Sequence, residues 1–573
     1  MKNKNIRIAT VGGGPAALFM FKRLLNLDSK DIDITIFEKK EQFGAGMPYS
    51  RDGANEEHIT NVSANEIPHI VTPIKEWVKT ISSDILDLFS IESERFNEYK
   101  VLPRLFFGYY LSGQFDLLHD LAKEKGINVT LKTGSEVTDI TDNPDTLEVN
   151  VEVNGSEMYT FDKVIICTGH NWPKRHEGKV PGYYGSPYPP SKLKRNFNHT
   201  VGIKGASLTA IDAIRTMARH NGTFITNDAG ELTFQASEDS PDFKVIMHTR
   251  HGFLPAVRFH LEDPHLKSNS LLTEEELSAH RKENGGFLSL DYIFKKNFKE
   301  QFKDKDPDFY FKIKDMVVEE FVASMMELRE ELDPFQLLRA EYIQAEKSIK
   351  RRESVYWKEM LAILSFALNY PAKYLSAEDT LRLQKTLLPL ISLVIAFIPQ
   401  TSCRELLALH AAGRLELEAV GNQSDEQVDE QKGGVTVSYT TDSNETKSSH
   451  YKTYVDCIGQ PHLNYEDFPF RSLLENKTIS SAAIRFKCSI VGEKQMQDIP
   501  ERVEKHADGY RLKVSGIAIN DNFQVTDSYG AYNERIFIMA VPYIGGYNPD
   551  YSGLDFCEEA SGRIGQWLSY ELL

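Results

Sequence analysis

Between the apolar run Ile6 to Val11 and a helix-spaced series at Leu18, Phe21, Leu24 and Leu25, the chain carries Gly12-Gly13-Gly14-Pro15-Ala16-Ala17. Strand, glycine turn and helix in that order leave few folds open. Gly12 permits the tight turn, Gly14 lets the main chain approach a pyrophosphate, and Ala17 lets the helix lie close on the sheet. The anion then meets the helix start at Pro15 and Ala16, where free N–H groups and the helix dipole favour negative charge. A second strand, Ile32 to Phe37, ends in Glu38 with Lys39 beside it, and the acid stands where ribose hydroxyls are gripped. The amino-terminal region is therefore expected to be an α/β dinucleotide-binding unit.

A chain of 573 residues is too long for one core, so two or three domains are expected. Its 41% hydrophobic share supplies enough apolar surface for them and argues against general disorder. The net charge of -17 excludes non-specific nucleic-acid binding, which needs cations against phosphate. Leu387 to Ile398, the longest apolar run, is interrupted by Pro389 and falls short of the ~20 residues that span a bilayer. It is read as a buried helix, with no membrane partner. Met1 to Asn5 is polar and lacks the regions of a secretory signal, so a soluble, cytoplasmic protein is expected. Cys167, Cys403, Cys457, Cys488 and Cys557 are scattered without a C-x-x-C pair, which points to neither a disulfide framework nor a metal site.

Further along, Gly44-Ala45-Gly46-Met47-Pro48-Tyr49 and His58-Ile59-Thr60-Asn61-Val62 resemble the bacterial FAD-NAD(P)-binding family, itself similar to N-hydroxylating and Baeyer–Villiger flavin monooxygenases. The resemblance implies that FAD is the dinucleotide and that Gly46, Met47, Tyr49 and Asn61 lie near its isoalloxazine. Leu102-Pro103-Arg104 with Gly108-Tyr109-Tyr110-Leu111 is similar to a family helix start whose arginine approaches the cofactor; a solvated surface charge is the competing reading of Arg104. Val137 matches a main-chain contact to adenine. Thr168 and Gly169 close the first FAD segment, and Val455 to Gln460, with Gly459, is similar to a second such closing signature. Gly553 and Leu554 resemble the start of a helix aimed at the flavin pyrimidine.

Thr200 to Ile203 followed by Gly205-Ala206-Ser207-Leu208-Thr209 reads as a second strand, turn and helix. Ser207 stands where the family pattern has a glycine, and its side chain narrows the approach to a pyrophosphate. After the strand Phe243 to Met247, Arg250 and Arg258 are candidates to receive a ribose 2′-phosphate, which favours NADPH, with NADH as the alternative. Residues 271–419 carry mainly helical spacing and read as an inserted helical region, and Gly421 to Asn444 as a hairpin or mobile surface loop. The expected fold class is α/β: an FAD-binding Rossmann-like domain with an inserted NAD(P)-binding Rossmann-like domain and a helical insertion. The expected order is FAD-binding over 1–190, NAD(P)-binding-like over 191–270, helical over 271–419, NAD(P)-binding-like again over 420–455, and FAD-binding over 456–573.

The resemblance implies an FAD-dependent oxidoreductase, with molecular oxygen and an amine or amino acid as small-molecule partners. In its sharpest form the chain is an NADPH-dependent N-hydroxylating monooxygenase acting through a flavin hydroperoxide. Asn61, Tyr49, Ser186 and Tyr188 are the candidates to shield or donate at the flavin, the last two from Tyr184-Gly185-Ser186-Pro187-Tyr188-Pro189. Arg104 or Arg258 is the candidate clamp for a substrate carboxylate. Two alternatives stay open: an NAD(P)H-dependent flavin reductase or dehydrogenase, and an FAD-holding interaction protein with a degenerate nicotinamide site. The sequence also leaves open the oligomeric state.

Overall fold

The computed structural model describes residues 5–27, 31–172, 176–262, 271–441, 443–549 and 553–571. Its centre is a six-stranded sheet in the order Gln524–Thr526, Tyr532–Ile538, Lys163–Ile166, Ile6–Val11, Ile32–Phe37 and Asn128–Lys132. All neighbours but the outermost C-terminal pair run parallel. Ile8, Ile34, Ile36, Val164, Ile165 and Ile166 are buried, as expected where helices cover a parallel sheet on both faces. The helices Pro15–Leu25 and Gly553–Glu571 pack on one another, and Glu558 accepts from Lys22 and Arg23 between them. Strands from both ends of the chain thus close one sheet.

A second, five-stranded parallel sheet has the order Tyr183–Tyr184, Thr453–Asp456, Thr200–Lys204, Lys244–Thr249 and Leu415–Ala419. The last strand corrects the reading of 271–419 as mainly helical to its end: Leu415 pairs with Val245 and Leu417 with Met247 at the sheet edge. In Leu-Glu-Leu-Glu the apolar period is two, which is a strand's and not a helix's. Of the two readings of Gly421 to Asn444, the structure has the hairpin: Asp425–Val428, Val435–Thr440 and Thr446–Tyr451 form a three-stranded antiparallel sheet. Val435, Val437, Tyr439 and Tyr451 form a small core against Tyr454, which is enough to hold polar strands that look loop-like in sequence.

In the sequence, the helical region lies between the strands Lys244–Thr249 and Leu415–Ala419. Phe294, Phe298, Phe302, Phe321, Leu361, Leu364 and Ile391 form its own core. Helix starts follow side-chain chemistry: Thr273 and Glu276 make a reciprocal capping box, and Asp333 accepts from the amides of Phe335 and Gln336 ahead of Pro334 in the first turn. Leu383–Leu387 is a π turn and Pro389 opens the helix Leu388–Ile395, with Leu387, Leu390, Ile391 and Val394 buried. A proline has no N–H to give to the preceding turn, so the apolar run is two joined helical pieces inside a core. No helix among the described residues is long and apolar enough to cross a membrane, and none of their His, Cys, Asp and Glu residues group as a metal site.

Candidate functional site

The first glycine turn is held by hydrogen bonds at both sides. Gly12 N–H donates to Phe37 O at 2.9 Å, and Cys167 N–H donates to Val11 O at 2.8 Å. Gly12 has φ +103°, and a Cβ there would sit 2.6 Å from Cys167 O, so only glycine fits. Gly14 faces Gly46, and a Cβ on Gly14 would lie 3.3 Å from the Gly46 Cα. The Gly44 to Met47 segment therefore folds directly over the turn, with Gly44 N–H donating to Gly13 O at 2.7 Å. At the helix start Gly14 offers no side-chain cap, which leaves the amides of Ala16 and Ala17 for an anion. Ala17 is buried against the sheet.

Glu38 completes this cradle. One carboxylate oxygen accepts from Gly13 N–H at 2.7 Å and the other from Lys40 N–H at 3.0 Å. Lys39 is exposed. Val137 begins the strand Val137–Asn143 and pairs with Val153. Back at the Gly12 turn, where a Cβ on Gly12 would lie 3.3 Å from Thr168 N, Gly169 is exposed, while the Thr168 hydroxyl is buried without a hydrogen-bond partner among the described residues. An orphaned hydroxyl beside an uncapped helix start and a glycine-lined approach fits a bound dinucleotide. Burial lowers the His170 pKa to about 4, although solvent reaches its side chain; a cleft wall gives both results. Leu554 is buried in the first turn of the terminal helix, and Asp555 and Cys557 from that turn act electrostatically on Tyr49. Burial raises the Tyr49 phenol to about 12, and its ring stands edge-on to Phe107 at 4.9 Å.

The second turn repeats the plan. Gly205 N–H donates to His248 O at 2.8 Å, and Cys457 N–H donates to Lys204 O at 2.9 Å. Gly205 has φ +98°, and its Cβ would meet Cys457 O at 3.1 Å. Ser207 is the N-cap of the helix Leu208–Asn221 but makes no side-chain cap bond, and it is exposed. Leu208 and Thr209 are half-buried at the helix start, and a Cβ on Gly459 would lie 3.7 Å from the Thr209 hydroxyl. Gly459 thus lies beside the second turn. Trp172 Nε1 donates to Gly459 O at 3.1 Å, and Gln460 exchanges two 2.7 Å hydrogen bonds with the Asn171 main chain. The two closing segments meet between the cradles.

The other candidate residues divide into two buried networks. Arg104 pairs with Asp212 from the second helix, and the Tyr188 hydroxyl donates to the same carboxylate at 3.1 Å. Burial works to raise the Asp212 carboxyl, yet Arg104, His58 and Arg215 together hold it below the ordinary range. Burial lowers His58, and its Nδ1 accepts from Asn55 N–H at 3.2 Å. Nε2 therefore carries the proton and faces Asp212 O and the Thr216 hydroxyl at 3.2 and 3.0 Å. Tyr188 also lies against Trp172, ring centres 5.5 Å apart, while Ser186 is buried and accepts from Tyr188 N–H at 3.1 Å.

Arg258 sits in the second network, paired with buried Glu66 and donating to Asn61 O at 2.7 Å and to Ser63 Oγ at 3.0 Å. Its charge and donors are engaged inside the protein, away from any phosphate in solvent. Arg250 is exposed, at the end of the strand Lys244–Thr249. Neither Asp212, His58 nor Glu66 was singled out from the sequence. Each acts through a partner more than a hundred residues away, and no local spacing signals such a pair.

Residues 9–171 match the model of an FAD-NAD(P)-binding family, and residues 273–395 that of a YdhS-like middle domain. The chain is 29% identical over 473 residues to the uncharacterized protein YdhS of Escherichia coli K12, covering 82% of this chain and 86% of that one. Among solved structures it is similar to an ornithine N-hydroxylase of Kutzneria sp. 744, with TM-score 0.44, 13% identity, and 99% and 100% of the two chains covered. It is also similar to an L-lysine 6-monooxygenase of Pseudomonas syringae, with TM-score 0.45, 11% identity, and 99% and 100% covered. Residues 9–171 thus match the FAD-NAD(P)-binding family that the motifs resemble, and residues 273–395 of the helical region match a YdhS-like middle domain.

Proposed function

We propose that the protein is an FAD-dependent oxidoreductase reduced by NADPH, and more narrowly a monooxygenase that hydroxylates an amine or amino acid. The observation that carries this reading is the duplication: two glycine turns on one hydrogen-bond plan, with their closing segments joined through Asn171, Trp172, Gly459 and Gln460. One cradle suits a resident dinucleotide and the other a dinucleotide that comes and goes. Bound FAD would supply hydride acceptance and oxygen activation, which no side chain here supplies.

The protein's part is to bind, orient and exclude water. Glu38 offers its carboxylate to a ribose, the amides at Ala16 and Ala17 receive the pyrophosphate, and Thr168 donates its hydroxyl beside the Gly12 turn. Tyr49, half-buried and un-ionised, walls the site from the side of Phe107. Tyr188 and Arg104 anchor the second helix through Asp212 and hold the incoming nicotinamide's cradle in register with the first. Exposed Arg250 stands ready for a 2′-phosphate, in keeping with NADPH.

The test is coupled turnover. Purified protein loaded with FAD should be bleached by NADPH under nitrogen and reoxidised by air, and NADPH consumption should rise with an amino acid or polyamine and yield hydroxylated product. Reduction without product favours a reductase or dehydrogenase. Failure of both NADPH and NADH to bleach the flavin favours an FAD-holding interaction protein.

A further inference from the structure

Arg104 and Arg258, the two guanidiniums that stood as candidate clamps for a carboxylate, are both occupied by buried acids, Asp212 and Glu66. A different cation is placed for that work. A cavity of about 590 Å³ opens between the helical middle region and the C-terminal segment of the first domain, lined among others by Gln384, His462, Arg502, Lys513, Gly545 and Gly546. Its volume is that of a small-molecule site.

The cavity adjoins the junction of the two cradles. His462 follows Gly459 by three residues, and Leu463 N–H donates to Pro542 O at 2.9 Å. The main chain at Gly545 passes so close to the imidazole that a Cβ would lie 1.9 Å from His462 Nδ1, and one on Gly546 would lie 2.4 Å from Ser515 O. Two successive glycines are needed to shape this wall, and the same segment leads on toward the terminal helix at Gly553.

The two cations of the cavity differ in what holds them. Lys513 is paired with Glu504 at 2.6 Å. Arg502 forms no ion pair among the described residues; its Nη2 donates to the neutral side-chain oxygen of Gln384 at 3.1 Å. An amide acceptor fixes the guanidinium plane without cancelling its charge, and the remaining donors of a planar fork suit a carboxylate. Gln384 comes from the π turn Leu383–Leu387, so the middle region supplies the group that orients this cation.

We propose that this cavity binds a small carboxylate-bearing ligand through Arg502, with Gln384 as the positioning residue. That the ligand is an amino acid substrate rests on the oxidoreductase reading above; that a carboxylate binds there does not. The middle domain then has a definite role, as the wall that selects acids over simple amines.

Calorimetric titration of the FAD-loaded protein with L-ornithine and L-lysine, against their decarboxylated diamines putrescine and cadaverine, tests this. At least one amino acid should bind, and the diamines should bind about tenfold more weakly or worse, the worth of one charge-assisted contact. Arg502→Gln should lose about tenfold in affinity for the amino acid with flavin absorbance unchanged, Arg502→Lys should retain part of it, and Gln384→Leu should lose less than Arg502→Gln. Binding by none of the four probes, equal binding of diamines and amino acids, or affinity indifferent to Arg502→Gln would overturn the proposal. Arg502-dependent binding that leaves NADPH consumption unstimulated would uphold the site and sink the monooxygenase reading alone.

Discussion

The two glycine turns share a frame and differ in their fittings. In each, the turn glycine has a positive φ and donates to the end of the neighbouring strand, and a cysteine amide donates back to the central strand. The first turn is then enclosed: Gly44–Gly46 fold over it, and the Glu38 carboxylate accepts from the Gly13 amide. The second stays open, with Ser207 exposed and Thr249, not an acid, following the His248 carbonyl that accepts from Gly205. On the proposed function, the shared frame makes each turn a dinucleotide site, and enclosure separates the one that retains its ligand from the one that exchanges it.

The largest effect should come from cutting the tie between the cradles. Arg104→Ala leaves the buried Asp212 carboxylate without its main counter-charge, a change that costs about 3–5 kcal/mol. A lowered denaturation midpoint and faster proteolysis between the domains would show it. Acid should act at the same tie. The folded-state pKa of Asp212 is depressed, so its contribution is complete above the ordinary aspartate value of about 3.9 and is lost as pH falls through the lower folded value. Asp212→Asn should therefore flatten the loss of stability below about pH 4. An unchanged acid profile would mean that the pair does not join the cradles.

Next in size is the frame itself. Gly12→Ala puts a Cβ 2.6 Å from a carbonyl oxygen at φ +103°, and an L-residue in such backbone costs of order 1–3 kcal/mol before the clash is counted. Flavin retention on purification should fall about tenfold or more, read as visible absorbance per protein. Gly205→Ala meets its carbonyl at 3.1 Å; it should leave the flavin in place and raise the NADPH concentration for half-maximal reduction. Equal flavin loss in both variants would erase the distinction between the cradles.

Why the frame was legible while the tie was not follows from range. Ile6 to Glu38 holds strand, turn, helix, strand and acid in one short stretch, and backbone sterics plus side-chain period determine each of them locally. Arg258 shows the opposite case: in sequence it is a basic residue after a strand, and only the fold of Asn61 to Glu66 against it turns it inward. Arg502 has no motif around it, and its significance arises from an amide 118 residues earlier in the chain. The strand Leu415–Ala419 carried a period-two signal that its helical neighbourhood obscured.

A smaller effect should separate the two nicotinamide cofactors. Arg250 is exposed at the strand end while Arg258 is buried with Glu66, so Arg250→Ala should weaken NADPH about tenfold and leave NADH nearly unchanged, as expected for one guanidinium–phosphate contact. Steady-state kcat/KM with each cofactor measures it. A loss shared by both cofactors would assign Arg250 a structural duty instead.

The smallest change sharpens the comparison most. Ser207→Gly converts the second turn to the pattern of the first at its third position. Because the Ser207 hydroxyl makes no cap bond, glycine at this N-cap should cost only a few tenths of a kcal/mol in stability. Removing the side chain opens the approach to the helix amides, and NADPH affinity should rise about two- to fivefold, under 1 kcal/mol. Rapid reduction of the bound flavin across NADPH concentrations reports it directly. A fall in affinity would show that the serine hydroxyl itself grips the pyrophosphate, making the second cradle a variant that replaces closeness with a hydrogen bond.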